Sequence, residues 1–192
     1  WGGGRNHGGF NTTEYGSGNA SLARPWEECR GIGESFGYNR NENLEQYQTS
    51  KQLIHMLIDI VSRGGNLLLN IGPAADGTIP VIMQQRLKDM GDWLQINGEA
   101  IYGTTAWKEA PKQKDKTTFY TRKGNDLYVL VTEWKKQISI PAAKGSKIAL
   151  LGYAGKVGFS KKGSSITVTA PNLAPGEHAG EDAWVYKITN AF

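Results

Sequence analysis

Asn66-Leu67-Leu68-Leu69-Asn70-Ile71-Gly72-Pro73 is apolar without alternation and ends on a Gly-Pro break. An unbroken apolar run of this length predicts a strand covered on both faces. Just upstream, Leu53, Ile54, Leu57, Ile58 and Val61 recur at helical spacing. Thr49 or Ser50 supplies a hydroxyl cap for that helix, and Gly64 and Gly65 stop it. Downstream, Asp76-Gly77 breaks the chain again and Pro80 opens a second helix. Met83, Leu87, Met90 and Leu94 form its expected apolar side, with Gly98 as its stop. Residues 30–38 predict an earlier glycine-punctuated strand and its exit, and residues 1–25 a long irregular loop rich in Gly, Asn, Ser and Thr. The order strand, helix, strand, helix is that of parallel strands with crossover helices. A (β/α)8 barrel needs about 250 residues, so this segment predicts roughly its last quarter, with the remainder expected upstream.

After Tyr102 the texture changes. Residues 117–122, 126–133, 137–140, 147–151, 165–169 and 183–188 are short and many are rich in Val, Ile, Tyr and Thr, which predicts strands. Gly124-Asn125 and Lys162-Gly163 predict hairpin turns. The expected fold class is α/β plus all-β: C-terminal units of a (β/α)8-like barrel over 1–105, then an antiparallel β-sandwich over 106–192. Charge divides in the same region. Residues 1–103 hold 8 Lys and Arg against 11 Asp and Glu, a balance of −3, whereas residues 104–192 hold 14 against 7, a balance of +7. Such a shift marks a domain boundary. The lysines fit either a solvated β surface or attraction to acidic glycans or a charged cell surface.

Composition excludes several classes. A 39% hydrophobic content supports a core, so disorder does not describe the chain. No apolar run reaches the roughly 18–20 residues of a membrane span. Cys29 is the single cysteine, which rules out an internal disulfide or a thiolate metal cluster. His7, His55 and His178 lack ligand spacing. No recognition-helix, zinc-finger or RNP pattern points to nucleic acid.

Catalytic groups of barrel enzymes sit where strands end and βα loops begin. That rule selects the 1–29 loop, with Glu14, Glu27 and Glu28 among Trp1, Phe10, Tyr15 and Trp26. An apolar surround raises a carboxyl pKa, which leaves a proton to give to a glycosidic oxygen. Aromatic faces also stack on pyranoses. On this ground alone the three carboxyls are equal candidates, each with solvated surface as its ordinary role.

Trp26-Glu27-Glu28-Cys29-Arg30-Gly31-Ile32-Gly33 and Ser35-Phe36-Gly37-Tyr38 resemble a stretch of the alpha-L-fucosidases of glycoside hydrolase family 29. Val61 to Pro73, Asp76 to Pro80 and Gly91 to Tyr102 are similar to further runs of that family in the same order. The resemblance implies a retaining exo-glycosidase acting on terminal alpha-linked L-fucose of glycans, with no metal or organic cofactor. An Asp nucleophile would lie upstream, in a part of the same enzyme outside this chain, and residues 1–192 alone are expected to be inactive. The acid/base carries over to Glu14, with Glu27 as the alternative. Phe36 matches the aromatic that packs on the C5 methyl of fucose. Glu28 is expected at the surface, and Asn66, Asn70 and the Asp76-Gly77 turn as structural. The resemblance also implies a secreted, periplasmic or lysosomal-type compartment. The other reading is a lectin-like carbohydrate-binding module on a degenerate barrel scaffold, with Trp134 and Trp184 as its few candidate aromatics.

Overall fold

A computed structural model describes residues 9–16, 24–110, 116–140, 144–145, 147–177 and 180–192. The readings made for Trp1, His7 and His178 lie outside the described residues. The chain divides into two units, Trp1–Asp92 and Trp93–Phe192.

In the first unit β1 (Asn11–Glu14), β2 (Trp26–Gly31) and β3 (Gly65–Asn70) form a parallel sheet in that order. A glycine-punctuated strand and its exit were expected over 30–38. The strand runs over 26–31, because Trp26 to Gly31 pair with β3, while the glycines from 33 onward lie in the exit. The expected loop at 1–25 also contains β1, whose polar Asn-Thr-Thr-Glu carries no apolar signature and is held by pairing with β2. Between β2 and β3 runs α1 (Ser50–Ser62), capped by Thr49 and Gln52: the Gln52 N–H donates to Thr49 Oγ1 at 3.2 Å, and the Thr49 N–H donates to Gln52 Oε1 at 2.8 Å. Its buried face is Leu53, Ile54, Leu57, Ile58 and Ile60, with Val61 only partly covered. Gly64, at φ +80°, takes the left-handed turn that ends it. Trp26 lies over Gly65 and beneath Ile60, so α1 covers one face of the sheet.

After β3 comes α2 (Val81–Asn97), which spans the division between the units. Its buried side is Met83, Met90, Trp93 and Asn97; the expected Leu87 is exposed and Leu94 half-buried. Trp93 Nε1 and Asn97 Nδ2 both donate hydrogen bonds from buried positions, while Asn97 Oδ1 has no hydrogen-bond partner among the described residues. Among the described residues no helix is long and apolar enough to cross a membrane.

The second unit contains β4 (Thr105–Ala106), β5 (Thr118–Lys123), β6 (Asp126–Val131), β7 (Gln137–Ile140), β8 (Lys147–Leu150), β9 (Gly158–Lys162), β10 (Ser165–Thr169) and β11 (Trp184–Thr189). They make two antiparallel sheets, β4-β5-β6-β11-β8 and β7-β10-β9. Leu127, Val129, Val131 and Ile188 from the first sheet share one apolar cluster with Ile138, Ile140, Ile166 and Val168 from the second. The two expected hairpins form, with Gly124 at φ +58° and Gly163 at φ +59°. β9 was not expected: its Gly-Phe-Ser-Lys-Lys is exposed throughout and lies at a sheet edge, where lysine is tolerated without apolar alternation.

The other face of the five-stranded sheet is closed by residues 93–101. Trp93 Nε1 donates to Ala183 O at 2.9 Å, and Thr121 Oγ1 donates to Ala100 O at 2.7 Å. Lys187 Nζ bridges Glu99 at 2.9 Å and Asp126 at 3.5 Å. The Glu99 hydrogen bond first of all holds the Lys187 ammonium above the usual lysine range.

Tyr186 is fully buried in the core, and its hydroxyl has no hydrogen-bond partner among the described residues. Burial pushes its phenol up to about 12. The folded chain therefore holds this proton more tightly than the unfolded chain, whose phenol titrates near about 10. That contribution to stability is complete below about pH 10 and is lost as pH rises toward 12. Tyr186→Phe should flatten the alkaline fall in denaturant midpoint. At pH 7 it should stabilise by about 1 kcal/mol, because it removes a buried unpaired hydroxyl. A lower midpoint at pH 7 would contradict the absence of a partner.

Candidate active site

Parallel pairing sorts the side chains of the first unit between two faces. Residues directly opposite in register share a face, and successive residues alternate. Trp26, Glu28 and Arg30 share the α1 side with Thr13, Gly65, Leu67 and Leu69. Thr12, Glu14, Glu27, Cys29, Asn66, Leu68 and Asn70 share the opposite side. This second side is not covered by the described residues: Leu68 is 50% exposed, and Glu14 is exposed.

Glu14 and Glu27 thus lie on one face but at different heights. Glu14 is the last residue of β1 and stands opposite Cys29; Glu27 is the second residue of β2 and stands opposite Thr12. Strand spacing and rise separate their Cα atoms by roughly 8 Å. Cys29 sits between them. Its thiol is pushed up by burial first, then by the charges of Glu14, Glu27 and Glu28. A thiol held protonated is a poor nucleophile. Among the described residues no group of His, Cys, Asp and Glu could hold a metal ion.

Glu28, expected at the surface, is 1% exposed and sits under α1. The strand alternation that turns Glu27 outward turns Glu28 inward. Arg30 Nε donates to its Oε1 at 2.8 Å, and Thr13 Oγ1 donates to its Oε2. A buried carboxylate needs such partners, since desolvation penalises it heavily when unpaired. Arg30 Nη2 also donates to Gly16 O at 2.9 Å, and its guanidinium lies 5.8 Å from the centroid of the Tyr15 ring. This network went unread because an acid beside Trp-Glu has no sequence signal that separates it from its neighbour. The two-residue spacing of Glu28 and Arg30, which puts them on one face of a strand, was the available clue.

At the C-terminal ends of the strands the chain converges. Tyr15, directly after Glu14, has φ +46°, a left-handed conformation that costs a residue with a Cβ about 1–2 kcal/mol. The Gly31 N–H donates to its hydroxyl at 3.0 Å, and that hydroxyl donates to Gly33 O at 3.4 Å. Its ring meets Phe36 edge-on, with centroids 5.0 Å apart. Asn70 Nδ2 donates to Phe36 O, so the end of β3 also holds the Phe36 loop. Gly72 lies against the backbone of Gly37 and Tyr38, where a Cβ would come within 2.4 Å of the Tyr38 nitrogen. Asp76 accepts from the Thr78 backbone at 3.0 Å and its hydroxyl at 2.6 Å, bonds that lower its pKa. These contacts bring Glu14, Tyr15 and Phe36 to one end of the sheet and leave Glu27 toward the other.

The family model Alpha-L-fucosidase matches residues 1–99, and the model Alpha-L-fucosidase C-terminal domain matches residues 112–189. The alpha-L-fucosidase of Branchiostoma floridae is 35% identical, covering 98% of this chain and 44% of its own length. The plasma alpha-L-fucosidase of Homo sapiens is 35% identical, covering 99% and 44%. The Thermotoga maritima alpha-fucosidase, solved in complex with fucose, has a TM-score of 0.78 and 35% identity over 97% of this chain and 43% of its own. The chain spans less than half the length of the relatives it matches.

The buried pair gives a direct test. Arg30→Met leaves Glu28 desolvated with only Thr13 as partner, and should lower unfolding stability by about 3 kcal/mol at neutral pH. A denaturation midpoint within error of the parent would mean that Glu28 is not held by Arg30.

Proposed function

We propose, because the chain belongs to the alpha-L-fucosidase family, that it is the C-terminal part of a retaining, exo-acting alpha-L-fucosidase. The enzyme would hydrolyse terminal alpha-linked L-fucose from fucosylated glycans. Residues 1–105 are assigned to its (β/α)8-like catalytic barrel and residues 106–192 to a β-sandwich. The parallel order β1-β2-β3 with α1 on one face supports the barrel assignment, since the uncovered face with Leu68 would then look inward. The single apolar cluster shared by two antiparallel sheets supports the sandwich.

The observation that carries the site is the height of Glu14. It is the last residue of its strand, whereas Glu27 lies four residues before the end of β2. Barrel enzymes work at the C-terminal strand ends, which favours Glu14 as acid/base and leaves Glu27 as the alternative. In the mechanism, an Asp from the upstream part of the enzyme attacks the anomeric carbon while Glu14 gives its proton to the leaving glycosidic oxygen. Glu14 then takes a proton from the water that releases fucose. Phe36, on the same end, would face the C5 methyl of the sugar. Such a contact contributes about 1–3 kcal/mol of discrimination against sugars that carry a hydroxyl there.

A lectin-like module is the second reading. It rests on Trp134, 38% exposed, set edge-on against Trp184 at 5.2 Å. One such pair makes a smaller case than a carboxyl and an aromatic brought to one strand end.

In the full-length enzyme, Glu14→Ala should lower turnover of an aryl fucoside by about 10²–10⁴-fold, and added azide should restore it as fucosyl azide. Azide rescue at Glu27→Ala alone would move the role to Glu27. Residues 1–192 expressed by themselves should show no turnover of the same substrate; measurable hydrolysis would mean that this segment holds its own nucleophile.

A further inference from the structure

The Tyr15 side chain joins three things that the proposed reaction needs at one end of the sheet. Its backbone follows Glu14 directly, its hydroxyl reaches the exit of β2, and its ring touches Phe36. We propose that Tyr15 is a positioning residue that fixes the proton-donating geometry of Glu14, an inference that rests on the acid/base reading of Glu14.

Four contacts converge on it from β2 and its exit. The Gly31 N–H donates to the Tyr15 hydroxyl at 3.0 Å, and the hydroxyl donates to Gly33 O at 3.4 Å. The Arg30 guanidinium lies over the ring while donating to Gly16 O, so it grips the chain on the far side of Tyr15 as well. The Phe36 ring meets it at an interplanar angle of 70°. Arg30 is itself oriented by the buried Glu28 carboxylate. Gly31 has no Cβ where one would stand 2.6 Å from the Tyr15 hydroxyl, so the space for that hydroxyl is built into the strand.

The consequence follows from where β1 ends. The last ladder residue of β1 is Glu14, and beyond it the Tyr15 N–H donates to Cys29 O over a long 3.4 Å. A short polar strand pinned on one side by that weak bond would let its terminal carboxyl wander. The Tyr15 hydroxyl closes the turn onto β2 instead. Proton transfer to a leaving oxygen depends on hydrogen-bond distance and alignment, so loosening this clamp should slow the acid-assisted step selectively.

Leaving-group dependence reads that step. In a retaining enzyme kcat/KM reports formation of the fucosyl-enzyme, and a phenol with a high pKa needs the acid far more than a dinitrophenol does. In the full-length enzyme, Tyr15→Phe should lower kcat/KM by about tenfold or more for phenyl fucoside and by less than about twofold for dinitrophenyl fucoside. Its melting temperature, measured alongside, should stay within a few degrees of the parent. A uniform fall across the series, or no fall at all, overturns the positioning role, because a merely structural residue would reduce all substrates alike. Glu14→Ala run in the same series separates the two claims. A flat dependence in Glu14→Ala overturns the acid assignment itself. A steep dependence there beside a flat one in Tyr15→Phe overturns only the role of Tyr15.

Discussion

The Trp26 indole lies against Gly65 and under Ile60, and its Nε1 donates to Arg63 O at the end of α1. A residue with a Cβ at 65 would overlap that ring, so the glycine is what lets a tryptophan be the strand's first covered side chain. Everything else in the first unit follows from this seating. With Trp26 under α1, alternation puts Glu28 and Arg30 under it too, and turns Glu27 and Cys29 away. The register with β1 then assigns Thr13 to the covered side and Glu14 to the open side. A slip of one residue would exchange every one of these roles. Such a slip would carry Glu28 and Arg30 together and leave their pair intact; what resists it is the loss of Thr13 as a partner for Glu28 and the exposure of the buried Trp26.

The second unit obeys a different constraint. β6 is central and buried from Leu127 to Val131, so its sheet must be covered on both faces. One face closes on the three-stranded sheet. The other closes on the end of α2 and the residues after it, through Trp93, Ala100 and Glu99. The run Gly91 to Tyr102, which resembles a family run, therefore uses Trp93, Asn97 and Glu99 to hold the second unit together. Asn97 is fully buried and donates back to Trp93 O. Glu99 is tied to Lys187 and within 3.5 Å of the Tyr128 hydroxyl. A well-matched motif is thus no guide to chemistry until its side chains are located.

Both helices and most strands of the second unit were legible because each has a strong local signal: a capping threonine and glycine stop for α1, a proline for α2, glycine turns for the hairpins. What escaped was stabilised only by pairing. Asn11–Glu14 is polar and four residues long, and Gly158–Lys162 is exposed along its length, so neither carries periodicity. Their ladders with β2 and β10 exist only once those partners are formed. The start of β2 was missed for a related reason, since Trp26 to Cys29 carry two adjacent polar residues without alternation and were read as part of the loop, although they pair with β3. At the proposed site, Glu14 and Phe36 are singled out in the sequence by resemblance. The clamp that joins them is not, because Tyr15, Arg30 and Glu28 act through register and through a left-handed turn, neither of which has a compositional mark.

Height along a strand is what supports the proposed choice of Glu14 over Glu27, two carboxyls that residue type and surroundings alone leave equal. Glu14 and Glu27 share a face, a neighbour in Cys29 and an acidic surround. Exposure does not choose between them. Under the proposed barrel reading direction would: parallel strands share one C-terminal end, where barrel enzymes place their catalytic loops. Tyr15, Phe36, Asn70 and Gly72 gather at that end, and each is held by a contact to a neighbouring strand's exit. Glu27 stands opposite Thr12 and Asn66, deep along the strands and away from those loops. In a retaining pair the two carboxyls face each other about 5–5.5 Å apart across the sugar. An acid at the rim can meet a nucleophile brought from another strand end, whereas one set two residues lower on the neighbouring strand would have to reach past Cys29 to do so.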